Sequence, residues 1–122
     1  MIGYVMLGTN DLARAARFYD ALLGEMGASR FMDTPQFIVW AVDPAQTSLG
    51  VTLPDSGVPA SSGVGTMVAL AGGTTARVDA LHKKALALGA TDEGAPQQRG
   101  PGFYAGYFRD LDGNKFNIFC MN

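Results

Sequence analysis

Apolar and polar positions alternate between two periods along the chain, and the alternation runs through the same order twice. Ile2–Thr9 reads as a β-rich stretch that meets Asn10-Asp11, either of which can cap a helix by accepting an orphan backbone N–H. Leu12, Ala15, Ala16, Tyr19, Leu22 and Leu23 then follow helical spacing, with Arg14, Arg17 and Asp20 on the polar side. Gly24 and Gly27 end that helix. Three strands are predicted next, Ala28–Met32, Gln36–Val42 and Ser48–Leu53, separated by turns at Thr34-Pro35 and Asp43-Pro44-Ala45. Residues 54–65 are rich in Gly, Ser and Pro and read as a mobile linker.

After the linker the order returns. Thr66–Ala71 is a predicted strand, and Thr74 or Thr75 caps a helix carrying Val78, Leu81, Ala85, Leu86 and Leu88, which Gly89 stops. Strands around Gly94–Arg99, Phe103–Arg109 and Lys115–Met121 follow, the last two joined by the turn Asp110-Leu111-Asp112-Gly113-Asn114. The chain thus reads β-α-β-β-β twice, with a period of about 62 residues. Met26-Gly27-Ala28 parallels Leu88-Gly89-Ala90 across the repeat. The expected fold class is α+β: one domain of two modules, 1–53 and 66–122, whose helices lie outside a curved mixed sheet around a central cavity.

Composition narrows the chemistry. Of the 122 residues, 48% are hydrophobic and 16% charged, enough apolar material for a substantial core. Nine Lys and Arg against eleven Asp and Glu give a net charge of −2, so there is no basic stripe for nucleic acid. No apolar run approaches the ~20 residues that span a bilayer, and no signal peptide is expected at Met1–Leu7. The chain has one His, His82, and one Cys, Cys120, so neither a His- or Cys-built zinc site nor a disulfide framework can be assembled within it. An unpaired Cys suits a reducing cytoplasm.

The tandem order, with the helix start Asn10–Gly27 near the beginning and the run Tyr107–Phe119 near the end, resembles the vicinal-oxygen-chelate superfamily of glyoxalases, extradiol dioxygenases and bleomycin-resistance proteins. The resemblance covers essentially the whole chain, and segments such as Ala76–Gly89 look most like its short bacterial glyoxalase-like members. It implies a cavity that, in catalytic families, holds one divalent metal on His, Gln and Glu side chains, and it implies a homodimer. Carried over by position, those ligands fall on Tyr4, Met67, Asn117 and a residue near Gly50. Phenol, thioether and amide side chains and a glycine make no site for a hard cation. The resemblance therefore implies a protein without metal or other cofactor.

Strand alternation then selects cavity residues: Tyr4, Met67, Asn117 and Phe119, with Trp40, Arg99 and Tyr104 on flanking strands of unknown register. Tyr4 could fill the space of a lost metal and hydrogen-bond to Asn117. His82 is expected on a half-exposed helix surface, Cys120 as a buried thiol, and Asp110 and Asp112 as hairpin residues. The resulting expectation is a cytoplasmic protein that binds a small apolar or aromatic molecule without a metal. The alternative is a glyoxalase-like lyase or isomerase related to lactoylglutathione lyase.

Overall fold

A computed structural model describes all residues, 1–122. The first module contains β1 (Tyr4–Gly8), α1 (Leu12–Gly24), β2 (Ser29–Asp33), β3 (Phe37–Ala41) and β4 (Ser48–Thr52). The second contains β5 (Val68–Ala71), α2 (Thr75–Ala87), β6 (Thr91–Gly100), β7 (Phe103–Arg109) and β8 (Lys115–Met121). The fold class is α+β, with each module forming its own four-stranded mixed sheet rather than a closed barrel. The strand orders are β1-β4-β3-β2 and β5-β8-β7-β6. In each, the first strand lies parallel to the last because a helix crosses between them, and the remaining pairs are antiparallel.

Both helices begin and end by the same local chemistry. Asp11 accepts from the Arg14 amide at 3.0 Å, and Thr74 accepts from the Arg77 amide at 3.2 Å. Past each C-terminus a glycine with positive φ, Gly27 at 86° and Gly89 at 106°, turns the chain back. The next amide then closes on a helix carbonyl, Ala28 on Leu23 and Ala90 on Ala85, both at 3.0 Å. That is the physical content of the repeated Met-Gly-Ala and Leu-Gly-Ala tripeptides.

In the first module α1 buries Ala15, Phe18, Tyr19, Leu22 and Leu23 toward the sheet, where Ile38, Trp40, Leu49 and Val51 complete the core. Full burial of a large apolar side chain contributes about 1.5–3 kcal/mol, so this one layer outweighs any surface ion pair in the module. In the second module Val78, Leu81 and Ala85 of α2 face a core of Phe108, Phe116 and Ile118, all fully buried. The Phe108 and Phe116 rings stack across β7 and β8 at 5.2 Å.

The chain divides into compact units Met1–Ser61 and Ser62–Asn122, a boundary that lies inside the expected linker. There Asn10 clamps Ala60 through both its amide atoms, accepting from the Ala60 amide at 2.7 Å and donating to its carbonyl at 3.3 Å. The strand expected around Gly94–Arg99 is present and longer: β6 spans Thr91–Gly100 and includes Pro96, which a sheet tolerates here because β6 is an edge strand with several register irregularities. One expectation needs correction: His82, expected on a half-exposed surface, is only 4% exposed. Its Nε2 lies 3.0 Å from the Tyr107 carbonyl oxygen and 3.3 Å from Asp92 Oδ1, so the ring ties α2 to the sheet.

Candidate functional site

In each module the helix covers one face of the sheet and leaves the other free. On the first sheet the register pairs Tyr4 with Ser48, Met6 with Gly50 and Val39 with Gly50, which puts these side chains on one face. A hollow of about 570 Å³ opens there, within the range of small-molecule sites. Tyr4, Met6, Phe31, Met32, Phe37 and Val39 form most of its wall, with Gly3, Pro44 and Ser48 at the side. No charged residue lines it. A β-bulge between Arg30 and Met32 helps expose Phe31 and Met32 together. Gly50 forms part of the floor, where a Cβ would stand 2.8 Å from Met6 Sδ and 3.0 Å from Val39 Cγ2.

The free face of the second sheet is more polar. Phe103 and Phe119 stack at 5.8 Å, and Asn117 pairs in register with Tyr107 on one side and Ala69 on the other. Arg99 Cζ lies 5.2 Å and Lys115 Nζ 5.6 Å from the centre of the Tyr107 ring. Arg109 is paired with Glu93 beside them. Met67 and Met121 are exposed at the strand ends.

The residues selected from sequence separate into two groups. Tyr4 lies in the hollow of the first module, while Arg99, Asn117 and Phe119 share the free face of the second, with Met67 immediately before β5. Trp40 and Tyr104 sit on the opposite, helix-covered faces. Trp40 is 2% exposed, packs 5.5 Å from Tyr19 of α1 and donates its indole N–H to Asp20 Oδ1. Tyr104 donates its hydroxyl to Asp79 Oδ1 of α2 at 2.5 Å. That bond, with burial adding a smaller push, holds the phenol above its ordinary pKa of 10.0. Tyr4 and Asn117 belong to different sheets, and Asn117 Oδ1 accepts no hydrogen bond.

Sequence reasoning missed Phe31, Phe37 and Lys115. Alternation from Val39 points to Phe37, but the bulge that brings Phe31 forward has no residue signature of its own. Asp110 and Cys120 sit as expected. Asp110 Oδ1 accepts the Asp112 and Asn114 amides at 2.9 and 2.8 Å to form the β7–β8 turn, and Cys120 is buried on the α2 side.

The register also locates the four positions that the resemblance picks out. Gly50 faces Met6 and Asn117 faces Ala69, equivalent places in the two sheets, with Tyr4 and Met67 each two residues before those partners. A phenol, a thioether, an amide and a bare backbone supply no anionic or imidazole donor. No three His, Cys, Asp or Glu side chains gather anywhere in the chain. The residues present do not fit a divalent metal.

A sequence model of the Glyoxalase/Bleomycin resistance protein/Dioxygenase superfamily matches residues 1–118. Among solved structures, a glyoxalase/bleomycin resistance protein from Albidiferax ferrireducens is 36% identical, with 98% of this chain and 97% of that one covered and a TM-score of 0.88. A glyoxalase/bleomycin resistance protein/dioxygenase family enzyme from Burkholderia phytofirmans is 21% identical over 98% of both chains, with a TM-score of 0.81. A lactoylglutathione lyase from Agrobacterium tumefaciens is 22% identical over 98% of this chain and 92% of that one, with a TM-score of 0.71. At such identities the last two establish likeness of fold alone. No curated protein matches the chain. No helix is long and apolar enough to cross a membrane.

Proposed function

The chain belongs to the Glyoxalase/Bleomycin resistance protein/Dioxygenase superfamily, and from that premise we propose that it binds a small, largely apolar or aromatic molecule without a metal, sequestering rather than converting it. The observation that carries this reading is the hollow of about 570 Å³ on the first sheet, walled by aromatic and methionine side chains and free of charge. Methionine walls adapt to irregular ligands, and aromatic walls favour planar ones. Lewis-acid catalysis needs ligands that Tyr4, Gly50, Met67 and Asn117 do not provide. The lyase reading has only the fold in its favour, and fold does not specify chemistry.

Two further features belong to the proposal. Tyr4, Phe31, Met32, Met67 and Met121 are large apolar side chains left exposed, and a second copy of the chain would cover such faces. A reducing cytoplasm would keep the buried Cys120 a free thiol.

The test is a titration of protein carrying labelled methionine methyl groups with naphthalene and indole, in the presence of a chelator. Saturable shifts of the Met6 and Met32 methyls are expected, weakened roughly tenfold in Tyr4→Ala, the equivalent of ~1.4 kcal/mol of lost contact. Silence at Met6 and Met32, or shifts that appear only after adding zinc, nickel or manganese, would overturn the reading. A hemithioacetal assay with the same metals is expected to show no lyase turnover.

A further inference from the structure

Gly50 leaves a bare point in the middle of the first sheet's free face, and the backbone does not require a glycine there. The residue is buried at the centre of β4, paired with Met6 on one side and Val39 on the other, and its φ is not positive. A glycine inside a strand weakens it unless something uses the room above the backbone. The thioether of Met6 does so. Its Sδ and Cε lie 2.8 and 3.1 Å from the point a Cβ would occupy, so the side chain leans from β1 across the bare position. Val39 Cγ2 closes in from β3 at 3.0 Å.

This places Met6 at the bottom of the hollow. The sheet order puts β1 and β2 at opposite edges with β4 and β3 between them. Tyr4 therefore stands at one side and Phe31 and Met32 at the other, with Met6 and Val39 as the floor. Every lining residue comes from this sheet and its connections, so the hollow is a trough across one face. Neighbouring strands lie ~4.8 Å apart, which sets the two edges about 14 Å apart at the backbone. A fused ring lying flat on that floor touches the Met6 sulfur as well as the sides, and sulfur–aromatic contacts are favourable. A rounded body of the same carbon count meets a flat floor over much less area.

We infer that Met6 is the specificity-determining residue of this hollow and Gly50 the positioning residue that lets it lie down. Together they make a filled, level floor that favours flat, uncharged aromatic bodies over rounded ones. The inference rests on the binding reading above and adds which residue decides the shape accepted.

The experiment titrates the full-length protein with 2-naphthylmethanol and 1-adamantylmethanol, which share ten ring carbons, one hydroxymethyl group and zero charge. Binding is followed at the Met32 methyl, which every variant retains. Wild type is expected to bind the naphthyl alcohol roughly tenfold tighter than the adamantyl one. Met6→Ala opens an apolar pit over Gly50 and is expected to bring the two alcohols within about twofold of each other. Gly50→Ala pushes the Met6 thioether up into the trough and should weaken both alcohols roughly tenfold. In the double variant the new Cβ at position 50 stands where the thioether lay, so naphthyl binding is expected to return to within about threefold of wild type. If Gly50→Ala does not fold, the change of preference in Met6→Ala decides alone. An unchanged preference in Met6→Ala, or losses that simply add in the double variant, would overturn the inference while leaving the binding reading intact. Binding of neither alcohol to the wild type is the failure of the binding reading, and the role of Met6 falls with it.

Discussion

The indole N–H of Trp40 donates to Asp20 Oδ1 at 2.8 Å, and the same carboxylate receives Nε and Nη2 of Arg30 at 3.0 and 2.7 Å. One acid on α1 thereby satisfies a buried indole and anchors β2. Asp20→Ala leaves that N–H without a partner and is expected to cost about 1–3 kcal/mol in urea unfolding at neutral pH. The hydrogen bonds from Arg30, reinforced by Trp40 and opposed by burial, hold the Asp20 carboxyl below its ordinary 3.8. A depressed carboxyl stabilises the fold above its unfolded pKa and loses that contribution as pH falls through the lower folded value. The stability gap between wild type and Asp20→Asn should therefore narrow as pH drops below about 3.8.

Tyr104 shows the opposite displacement. Its hydroxyl is kept protonated by the bond to Asp79, so its ionisation is expected above 10.0. A raised tyrosine pKa supports the fold below the unfolded value, and the support disappears as pH rises through the folded one. Ultraviolet titration of tyrosinate should show a late step that Tyr104→Phe and Asp79→Asn each remove or advance.

Gly106 of β7 lies against both α2 and the edge strand β6. A Cβ there would meet His82 Cδ2 and Pro96 Cγ, both at 2.9 Å, and both belong to rings that cannot fold aside. Gly106→Ala is expected to destabilise by about 1–3 kcal/mol, measured by thermal or urea unfolding. Gly24 is the contrasting case. A Cβ at this last residue of α1 meets nothing within 4 Å, so Gly24→Ala should stabilise by up to about 1 kcal/mol.

Pairing of two copies predicts a particle of twice 12.8 kDa by sedimentation equilibrium. Replacing exposed Phe31 and Met32 with Ser is expected to shift that equilibrium toward the single chain while leaving α1 and its core intact. A particle of 12.8 kDa at high concentration would sink the dimer.

Much of the architecture is legible because it is written in local chemistry. Caps at Asp11 and Thr74, stops at Gly27 and Gly89, and the Asp110 turn each depend on residues within a few positions of one another, so they mark the repeat without reference to the rest of the chain. The side-chain chemistry at Tyr4, Gly50, Met67 and Asn117 is equally readable, since it depends on residue type alone. What sequence could not supply is which side of a strand meets the helix. A period of two separates Trp40 from Val39 and Tyr104 from Tyr107, yet all four are apolar or aromatic and either set could have been the core. The indole N–H of Trp40 and the hydroxyl of Tyr104 settled it by finding carboxylates on α1 and α2.

Other features also waited for the tertiary structure. His82 reads as a surface residue between Leu81 and two lysines, and only the Tyr107 carbonyl, contributed from 25 residues away, makes it a buried strut. The Pro-rich stretch after β4 reads as free linker until Asn10 is seen to clamp Ala60 from 50 residues away. Sequence by itself determined the two-module order and the helix ends, because each follows from short-range geometry. The tertiary structure alone decided which faces are free and what they present: an uncharged hollow at Tyr4 and Met6 on the first sheet, and a cationic, aromatic surface around Asn117 on the second. Those are long-range facts, set by register, a bulge and the side each helix occupies, none of which a local pattern encodes.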